Sequence, residues 1–353
     1  MAETLKVGLI GAGGIAVQHG IGWLANAPRG EIVAVADVSP VRARSFASAY
    51  SGGAAVYESI GEIIADPAVR AVDICLPHHL HTEAILAAAA AGKAILCEKP
   101  LCIALEDAAR IDAALRDSGV TFVMAHNQLF QPSLIEARRL LATGILGKPY
   151  IARSIEAFQN QGASASQAAA DIATGESRWA WRSDPARMGG GEVLDTGWHA
   201  SYRLLALADS RPVNVMAMMD RFLLADLPSE DTGLLMIRFE SGLVGEILTS
   251  WAFSTVNDWQ FEVMAEYGSI AGNRTRTAHQ LHAWDSPAEL RNEPAHTFTA
   301  EITHFLDVVQ LGVPNLAPIE TGARVLQLTK AAYQSAAAGR PVALPENPYE
   351  LES

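Results

Sequence analysis

Cysteine and positive charge are both scarce in this sequence. Its 353 residues include three cysteines, none in the C-x-x-C spacing of a redox or metal-binding motif. Cys75, Cys97 and Cys102 lie in or beside apolar segments, so we expect reduced core thiols in a cytoplasmic protein. Acidic residues outnumber basic ones by 39 to 26, and the formal net charge is -13. That charge repels phosphate groups, so the composition argues against nucleic acid or an anionic membrane surface as a partner.

Long hydrophobic runs are also missing. No segment reaches the roughly 18 uncharged apolar residues that a membrane-spanning helix needs. The first residues, MAETLKVGLIGAGG, do not show the basic start, long apolar run and small-residue cleavage site of a secretory signal. Hydrophobic residues nevertheless make up 50% of the chain and charged ones 18%, which suits a large buried core. The length fits two domains, and we expect a soluble protein.

Strand-length apolar runs alternate with helical patterns through residues 1–127. The runs are LKVGLI, EIVAVAD, AVDICLP, AILCEKP and VTFVMAHN. Each is nearly continuous in apolar residues, as expected for strands that are buried on both faces of a sheet. Two of the helical patterns between them end at a glycine, a common helix stop. The alternation predicts an α/β domain with a doubly wound parallel sheet.

The pattern changes after Asn127. An amphipathic helix, SLIEARRLLATGILG, leads into a strand, and residues 159–177 are rich in Ala, Ser, Gln and Gly, which is typical of a loop. A helix is predicted from Glu192 to Ala208. Alternating apolar and polar residues between Arg211 and Gly272 predict successive antiparallel strands. Residues 128–353 are therefore predicted to form a second, α+β domain with a mostly antiparallel, open-faced sheet.

A glycine-rich turn follows the first predicted strand. The segment GAGGIA, residues 11–16, has the G-x-G-x-x-A spacing that lets backbone N–H groups approach a pyrophosphate at a helix N-terminus. An ordinary glycine turn is the alternative, but the position between a strand and a helix is the context that the motif requires. We therefore predict that Gly11, Gly13, Gly14 and Ile15 bind a dinucleotide.

Asp37 ends the second predicted strand. An acidic side chain at this place accepts hydrogen bonds from the adenosine ribose hydroxyls. Asp37 could also cap the following helix, and the two roles are compatible. A carboxylate here repels the additional phosphate of NADP, so the sequence favours NAD. Arg42 and Arg44 leave NADP open, since either could face the same pocket.

Three histidines follow the third apolar run, in CLPHHLHTEA. Pro77 breaks the strand at its carboxyl end, the edge where ligands of such sheets bind. A metal site is the alternative for clustered histidines, but no carboxylate or cysteine at a suitable spacing completes a ligand set, so we expect none. His81 is predicted to lie near the cofactor, before the next helix.

The stretch GKAILCEKPL ends a predicted strand on two opposite charges and a proline. Because Lys99 precedes Pro100, its backbone is extended and it stays at the carboxyl edge of the sheet. An ammonium group there could polarise a carbonyl or alkoxide oxygen beside a nicotinamide ring. Glu98 could balance this charge or contact the cofactor. The alternative is a surface pair of Lys99 and Glu98 at a strand end.

Two ionisable residues lie four positions apart in MGGGEVLDTGWHASYRLLALA. Asp195 and His199 should share one face of the predicted helix, and Tyr202 extends the same polar stripe. A carboxylate one turn away can orient an imidazole and stabilise its protonated form, so His199 could accept a proton. Alternatively, Asp195 and His199 are an ordinary i,i+4 pair on a solvent-exposed face of the helix.

Taken in order, these segments resemble the glucose–fructose oxidoreductase, inositol dehydrogenase and MocA family (Gfo/Idh/MocA). The resemblance rests on VGLIGAGGIA, AVAD, LPHHLHTEAILAAAAAGKAILCEKPL, WRSDPARMGGGEVLDTGWH and SAAAGRPVALP, and it spans nearly the whole chain. The EKP motif followed by GGG-x3-D-x3-H is specific to this family. The resemblance implies a Rossmann domain, then a substrate-binding domain whose open sheet forms a homodimer or homotetramer. It also implies an NAD(P)-dependent sugar or cyclitol oxidoreductase.

The resemblance and the chemistry of the residues together predict the site. Arg42 is included because it could face the ribose pocket, and Trp179, Trp181 and Arg182 because aromatic faces and guanidinium groups suit hydroxyl-rich ligands. The catalytic set falls on Lys99, Asp195 and His199. Cofactor contacts fall on Gly11, Gly13, Gly14, Ile15, Asp37, Arg42, Leu76, Pro77, His81, Glu98, Lys99 and Asn127. Substrate contacts fall on Lys99, His126, Trp181, Arg182, Asp195, His199 and Tyr202, with Trp179 a further aromatic candidate. Many members carry an aspartate in place of Tyr202 and an arginine in the stretch matching HNQLFQP, where this chain has Gln128 and Leu129.

These residues predict a hydride transfer from a secondary alcohol of a sugar-like polyol that binds between the domains. His199 would take the hydroxyl proton, Asp195 would hold the imidazole, Lys99 would stabilise the developing oxyanion, and NAD would take the hydride. Residues 159–177 could close over the site. Two alternatives use the same residues. One is an NAD-dependent glycoside hydrolase that works by transient oxidation and elimination, and the other is a non-catalytic NAD-dependent sensor.

Overall fold

The computed structural model describes residues 3–160, 181–224, 227–283, 285–293 and 295–351. Trp179 and the predicted closing loop, apart from Gln159 and Asn160, lie outside the described residues. The chain divides into two compact units. The first comprises Met1–Asn127 and His296–Ala323, and the second comprises Gln128–Ala295 and Arg324–Ser353.

The first unit is built on a six-stranded sheet in the order β3-β2-β1-β4-β5-β6, in which every neighbouring pair is parallel. All residues of β4 and β6 are buried, which explains why these strands read as continuous apolar runs. The predicted doubly wound parallel sheet is confirmed. The elements are β1 (Leu5–Ile10), α1 (Ala16–Ala25), β2 (Gly30–Ala36), α2 (Pro40–Tyr50), β3 (Ala55–Tyr57), α3 (Ile60–Ala65), β4 (Ala71–Ile74), α4 (His81–Ala90), β5 (Ala94–Glu98), α5 (Leu105–Ser118) and β6 (Phe122–Ala125).

From Gln128 onward the chain forms a nine-stranded sheet in the order β14-β13-β12-β11-β7-β10-β9-β8-β15, flanked by helices. Strands β7 and β10 pair in parallel, and the other neighbours are antiparallel, so the predicted mostly antiparallel sheet is confirmed. The elements are α6 (Pro132–Ala142), β7 (Pro149–Ala157), α7 (Pro185–Met188), α8 (Gly197–Ala208), β8 (Pro212–Asp220), β9 (Thr232–Phe239), β10 (Val244–Ser250), β11 (Phe261–Ala265), β12 (Gly268–Gly272), β13 (Arg276–Leu281), β14 (Ala288–Arg291), α9 (Thr297–Leu311), α10 (Ile319–Ala338) and β15 (Val342–Ala343).

Residues 296–323, which the sequence assigned to the second domain with the rest of 128–353, belong to the first unit. Helix α9 packs against α1. A Cβ atom at Gly22 would lie 2.6 Å from Ile302 Cδ1, and the rings of Trp23 and Phe305 meet edge to face with centroids 6.1 Å apart. The apolar face of α9 therefore completes the core of the first unit. A linear pattern shows that this helix is amphipathic but does not show which core it covers.

One face of the second sheet is covered and the other is open. From Gly233 onward, buried and exposed residues alternate along strand β9, as expected when a single face meets the core. Helix α8 covers the buried face, where a Cβ atom at Gly245 would lie 2.8 Å from Leu204. The open face carries exposed apolar side chains, among them Met218, Leu234 and Met236.

Helix α8 is shorter than the sequence predicted. It begins at Gly197 rather than at Glu192, because residues 192–196 form turns closed by bonds from Asp195 N to Gly191 O and from Gly197 N to Glu192 O. Asp195 therefore precedes the first turn of the helix that carries His199. Among the helices formed by the described residues, none is long and apolar enough to cross a bilayer.

Candidate active site

The glycine turn of the first unit fits a bound dinucleotide. Gly11 has φ 95°, and a Cβ atom there would lie 2.4 Å from Cys75 O, so this position requires glycine. A Cβ atom at Gly13 or Gly14 would meet no atom within 4 Å, which leaves this backbone open to a ligand. Helix α1 begins directly afterwards, at Ala16, and its N-terminus supplies partial positive charge.

Asp37 links the glycine turn to the end of β2. Its Oδ2 accepts the Ala12 N–H at 2.9 Å, and its Oδ1 accepts the Ser39 N–H and Arg42 Nη2, both at 2.7 Å. The carboxylate is thus held at the place where an adenosine ribose binds in sheets of this kind. Arg42, whose side chain is 55% exposed, lies directly beside it. The structure therefore brings together Asp37 and Arg42, two of the three residues on which the choice between NAD and NADP was predicted to depend.

Lys99 lies directly after β5, and its charge acts on two buried histidines of the first unit, His81 and His126. Burial and the charge of Lys99 lower the pKa of His126 to about 3, so this imidazole is neutral. Burial also lowers the pKa of His81, whose ring nitrogens lie 2.7 Å from Pro100 O and 2.9 Å from Leu76 O. Both ring nitrogens of His81 therefore face backbone carbonyl oxygens. The carboxyl ends of β4, β5 and β6 thus bring together Leu76, Pro77, His81, Glu98, Lys99 and His126.

Asn127 and Glu98 make well-defined contacts within the first unit. Asn127 Nδ2 donates to Thr297 Oγ1 at 3.0 Å. The two oxygens of Glu98 have separate partners, His19 Nε2 at 3.1 Å and the backbone N–H of Lys99 at 2.9 Å. The Glu98 carboxylate therefore holds the backbone of the residue to which the sequence assigned catalysis.

A buried polar cluster lies next to Glu98 and was not predicted from the sequence. His19 Nδ1 lies 2.9 Å from Asp73 Oδ2, which also accepts Trp23 Nε1–H at 2.7 Å. Among the described residues, His19, Asp73 and Cys75 bring potential metal-ligand atoms within 4.8 Å of one another. Both ring nitrogens of His19 already face carboxylates, and burial raises the pKa of the Cys75 thiol to about 12. These facts favour a hydrogen-bonded cluster. Its sequence signal was an aspartate inside the apolar strand AVDICLP.

In the second unit, Asp195 and His199 have other close partners than the sequence suggested. Asp195 Oδ2 accepts Arg182 Nε at 2.7 Å, and the guanidinium carbon of Arg182 lies 4.2 Å from the ring centroid of Trp181. His199 Nδ1 lies 2.7 Å from the hydroxyl of Tyr202, which also accepts the Gln128 N–H at 3.1 Å. Tyr202 is 3% exposed. Tyr202 thus contacts the His199 ring from the place where many family members carry aspartate.

The glycine loop before Asp195 is held by two residues that the sequence did not single out. The hydroxyl of Tyr333 accepts the Gly191 N–H at 2.9 Å and donates to Glu230 Oε1 at 2.7 Å. Glu230 Oε1 also accepts the Val193 N–H at 3.1 Å. Burial raises the pKa of Glu230, and burial together with Glu230 raises the pKa of Tyr333. A Cβ atom at Gly191 would lie 2.2 Å from Glu230 O, so this contact requires glycine.

Gln128 and Leu129, the other departure from the family pattern, also lie in packed surroundings. Gln128 Oε1 accepts Arg203 Nη1 at 2.5 Å, and Arg203 is fully buried in an ion pair with Glu156 at 3.0 Å. Leu129 is 6% exposed. Because the Gln128 backbone bonds Tyr202, the two departures contact each other.

Two domain families match the chain. Residues 5–126 match the oxidoreductase family domain with an NAD-binding Rossmann fold, and residues 134–271 match the GFO/IDH/MocA C-terminal domain. Fold and matches define an NAD(P)-dependent oxidoreductase that acts on CH–OH groups and whose first unit is an NAD-binding Rossmann domain. The chain belongs to the Gfo/Idh/MocA family, as its sequence segments indicated.

Relatives match over almost the full length. The chain is 29% identical to 1,5-anhydro-D-fructose reductase of Ensifer adhaerens over 94% of this chain and 96% of the relative. It is 25% identical to scyllo-inositol 2-dehydrogenase (NAD(+)) of Bacillus subtilis (strain 168), over 98% and 97%. The crystal structure of GenD2 from gentamicin A biosynthesis, in complex with NAD, is 26% identical, with a TM-score of 0.82 over 98% of this chain and 97% of that one. The relatives are thus sugar and cyclitol oxidoreductases.

Proposed function

We propose that this protein transfers a hydride between NAD and a secondary alcohol of a sugar, sugar derivative or cyclitol. The observation that carries the proposal is the position of Lys99, at the carboxyl end of a strand in the NAD-binding unit, beside the neutral imidazole of His126. Ligands of doubly wound sheets bind at this edge. The activities of the anhydrofructose reductase and inositol dehydrogenase relatives support the substrate class.

His199 is the proposed proton acceptor. With its hydrogen on Nδ1, the ring donates to the Tyr202 hydroxyl, and Nε2 is then the nitrogen that takes the proton of the substrate hydroxyl. Tyr202 is therefore proposed to orient the ring together with Asp195, to which the sequence gave this role. Asp195 acts through its ion pair with Arg182, which it holds beside Trp181. Trp181, Arg182 and His126 are proposed to contact the polyol.

Lys99 is proposed to stabilise the substrate oxygen while its proton leaves. Bound NAD supplies the hydride acceptor, and the protein supplies placement and charge. The substrate O–H bond breaks toward His199, the negative charge that develops on the oxygen is balanced by the Lys99 ammonium, and reduction reverses these steps. The cofactor is proposed to bind at Gly11, Gly13, Gly14, Ile15, Asp37, Arg42, Leu76, Pro77, His81, Glu98 and Asn127.

We also propose that the open sheet face joins subunits into a homodimer or homotetramer. Met218 and Leu248 both pair with Leu234, so these three side chains share that face, and Met218 is 68% exposed. Exposed apolar side chains in a contiguous group are typical of protein interfaces. Light scattering of the purified protein tests this assembly. The three buried free cysteines support a cytoplasmic location.

A substrate screen tests the proposed function. Purified protein is mixed with NAD and, in parallel, NADP, and with myo-inositol, scyllo-inositol, D-glucose, D-xylose and a methyl glycoside, while NADH formation is followed by its near-ultraviolet absorbance. We expect turnover with at least one polyol and a preference for NAD. Cleavage of the glycoside without net NADH would indicate the hydrolase alternative. Tight NADH binding without turnover across the panel would indicate a sensor.

Variants test the two catalytic roles with the substrate found in the screen. Lys99→Ala and His199→Ala should each lower kcat by about 10²- to 10⁴-fold, the usual contribution of an acid–base group, and leave NADH binding intact. Lys148→Ala, which removes an exposed lysine of the second unit, is the matched control and should keep wild-type kcat. Near-normal turnover of the Lys99 variant would refute its assigned role.

A further inference from the structure

His19 occupies the centre of a fully buried polar cluster that the proposed proton and hydride transfers do not use. It lies on α1, directly after the glycine turn, and is 0% exposed. Its Nδ1 faces Asp73 Oδ2 of β4 at 2.9 Å, and its Nε2 faces Glu98 Oε1 of β5 at 3.1 Å. The imidazole thus bridges two carboxylates that belong to neighbouring strands.

The geometry indicates that this ring is an imidazolium. A neutral imidazole has a single N–H group and could donate to only one of the two carboxylates, whereas the protonated ring donates to both. Burial lowers the pKa of His19, but Asp73 and Cys75 together outweigh it through their charge and hydrogen bonds, and the pKa lies well above its usual value. A charge this deeply buried is stable when it is paired on both sides.

The other groups around His19 are consistent with this charge arrangement. Cys75 keeps its thiol proton, because burial raises its pKa to about 12. Glu301, on α9, is fully buried, and neither of its carboxyl oxygens has a hydrogen-bond partner among the described residues. Burial raises the pKa of Glu301 well above its usual value, so it is a neutral acid. The imidazolium thus lies between the carboxyl groups of Asp73 and Glu98, and the Phe298 ring centroid lies 5.5 Å from that of the imidazole.

This cluster is connected to the catalytic lysine through one carboxylate. Glu98 uses Oε1 for His19 and Oε2 for the backbone N–H of Lys99, at 2.9 Å. We propose that His19 is a positioning residue: by bridging Asp73 and Glu98 it fixes the carboxylate that holds the Lys99 backbone, and hence the place of the Lys99 ammonium. This inference rests on the proposed function, in which Lys99 stabilises the substrate oxygen.

His19→Gln tests the proposal, because glutamine is neutral and carries both of its donor hydrogens on one nitrogen, so it cannot reproduce the two separate N–H groups of a charged imidazolium. A displacement of Lys99 by even about 1 Å should lower kcat on the order of 100-fold. Since the glycine turn and Asp37 are untouched and only the Glu98 contact is affected, the Kd of NADH, measured by its fluorescence, should change far less than kcat. His304→Asn is the matched control. It also removes a buried histidine of the first unit, one that accepts the Leu316 N–H at 3.0 Å and does not bond Glu98. It should lower Tm but keep wild-type kcat per folded molecule.

Asp73→Asn is the second variant, in case His19→Gln does not fold. It preserves the shape of the cluster and the acceptor for Trp23 Nε1–H, but it removes the charge on one side of His19. We expect kcat to fall by about tenfold and the Kd of NADH to change less than kcat. Wild-type kcat in the folded His19 or Asp73 variant, or an equal loss of kcat in the His304 control, would overturn the proposal. Lys99→Ala is measured alongside. Wild-type kcat in Lys99→Ala would contradict the proposed function. A loss of kcat in Lys99→Ala with wild-type kcat in the His19 and Asp73 variants would contradict only the role of His19.

Discussion

Tyr202→Phe removes one hydroxyl group from the buried interior of the second unit and keeps the ring. In the wild type this hydroxyl contacts His199 Nδ1 at 2.7 Å and the Gln128 N–H at 3.1 Å. Two effects follow from its loss. The Gln128 N–H, in a residue that is 6% exposed, loses its acceptor, and the His199 ring loses the contact that sets its orientation.

The two effects have different magnitudes and different readouts. A buried donor left without a partner costs about 1–3 kcal/mol, which corresponds to a Tm lower by several degrees at about 2–4 °C per kcal/mol. An imidazole that is no longer aimed at the substrate hydroxyl should lower kcat by about 10- to 100-fold. The Kd of NADH should not change, because the glycine turn and Asp37 lie in the first unit.

The assay is initial NADH formation at saturating NAD and polyol, normalised to folded protein by circular dichroism. Tyr267→Phe is the control, since it removes the hydroxyl of a tyrosine of the same unit that is 55% exposed. If Tyr202→Phe lowers Tm but keeps kcat within about twofold of wild type, Tyr202 is structural and does not orient His199.

Three further predictions concern the cofactor, the glycine loop and pH. Asp37→Ser removes the carboxylate that repels a ribose phosphate, so kcat/KM for NAD should fall by about 10- to 100-fold and the ratio of NADP to NAD turnover should rise; an unchanged ratio would contradict the role of Asp37. Tyr333→Phe removes the hydrogen bonds to Gly191 and Glu230 and should lower both Tm and kcat. If Tm and kcat both stay at their wild-type values, the glycine loop does not depend on the Tyr333 hydroxyl. The raised pKa of Glu301 means that its contribution to stability is complete below the unfolded pKa of about 4.3 and is lost as pH rises through the folded value. Between about pH 5 and about pH 8, the Tm of Glu301→Gln should therefore fall less than the Tm of the wild type. An equal fall in both proteins would show that the pKa of Glu301 is not raised in the folded state.

The sheets could be predicted from the sequence because their signals are local. A strand that is buried on both faces, such as β4, is a nearly continuous apolar run in the sequence. In a strand with one solvent-exposed face, such as β9, buried and exposed residues alternate. The glycine turn is likewise recognisable, since a few consecutive residues determine its shape. The confirmed parallel and antiparallel sheets both rest on such short-range patterns.

The contacts around the candidate site could not be predicted because they join residues far apart in the chain. His19 meets Glu98 across 79 positions, and Gln128 meets Tyr202 across 74. The i,i+4 spacing of Asp195 and His199 suggested a pair on one helix, but the helix begins after Asp195. Tertiary packing therefore determines which residues each ionisable side chain contacts, and sequence spacing alone does not distinguish between the possible partners.

The double variant Lys99→Ala/His199→Ala tests most directly the claim that these two residues act on one hydroxyl. Its kcat is compared with those of the two single variants, with the same substrate and saturating NAD. If both groups serve the same proton transfer, the second substitution removes little further rate enhancement. The kcat of the double variant should then be about that of the slower single variant. A double variant whose loss equals the product of the two single losses would mean that Lys99 and His199 act independently, and would contradict the account.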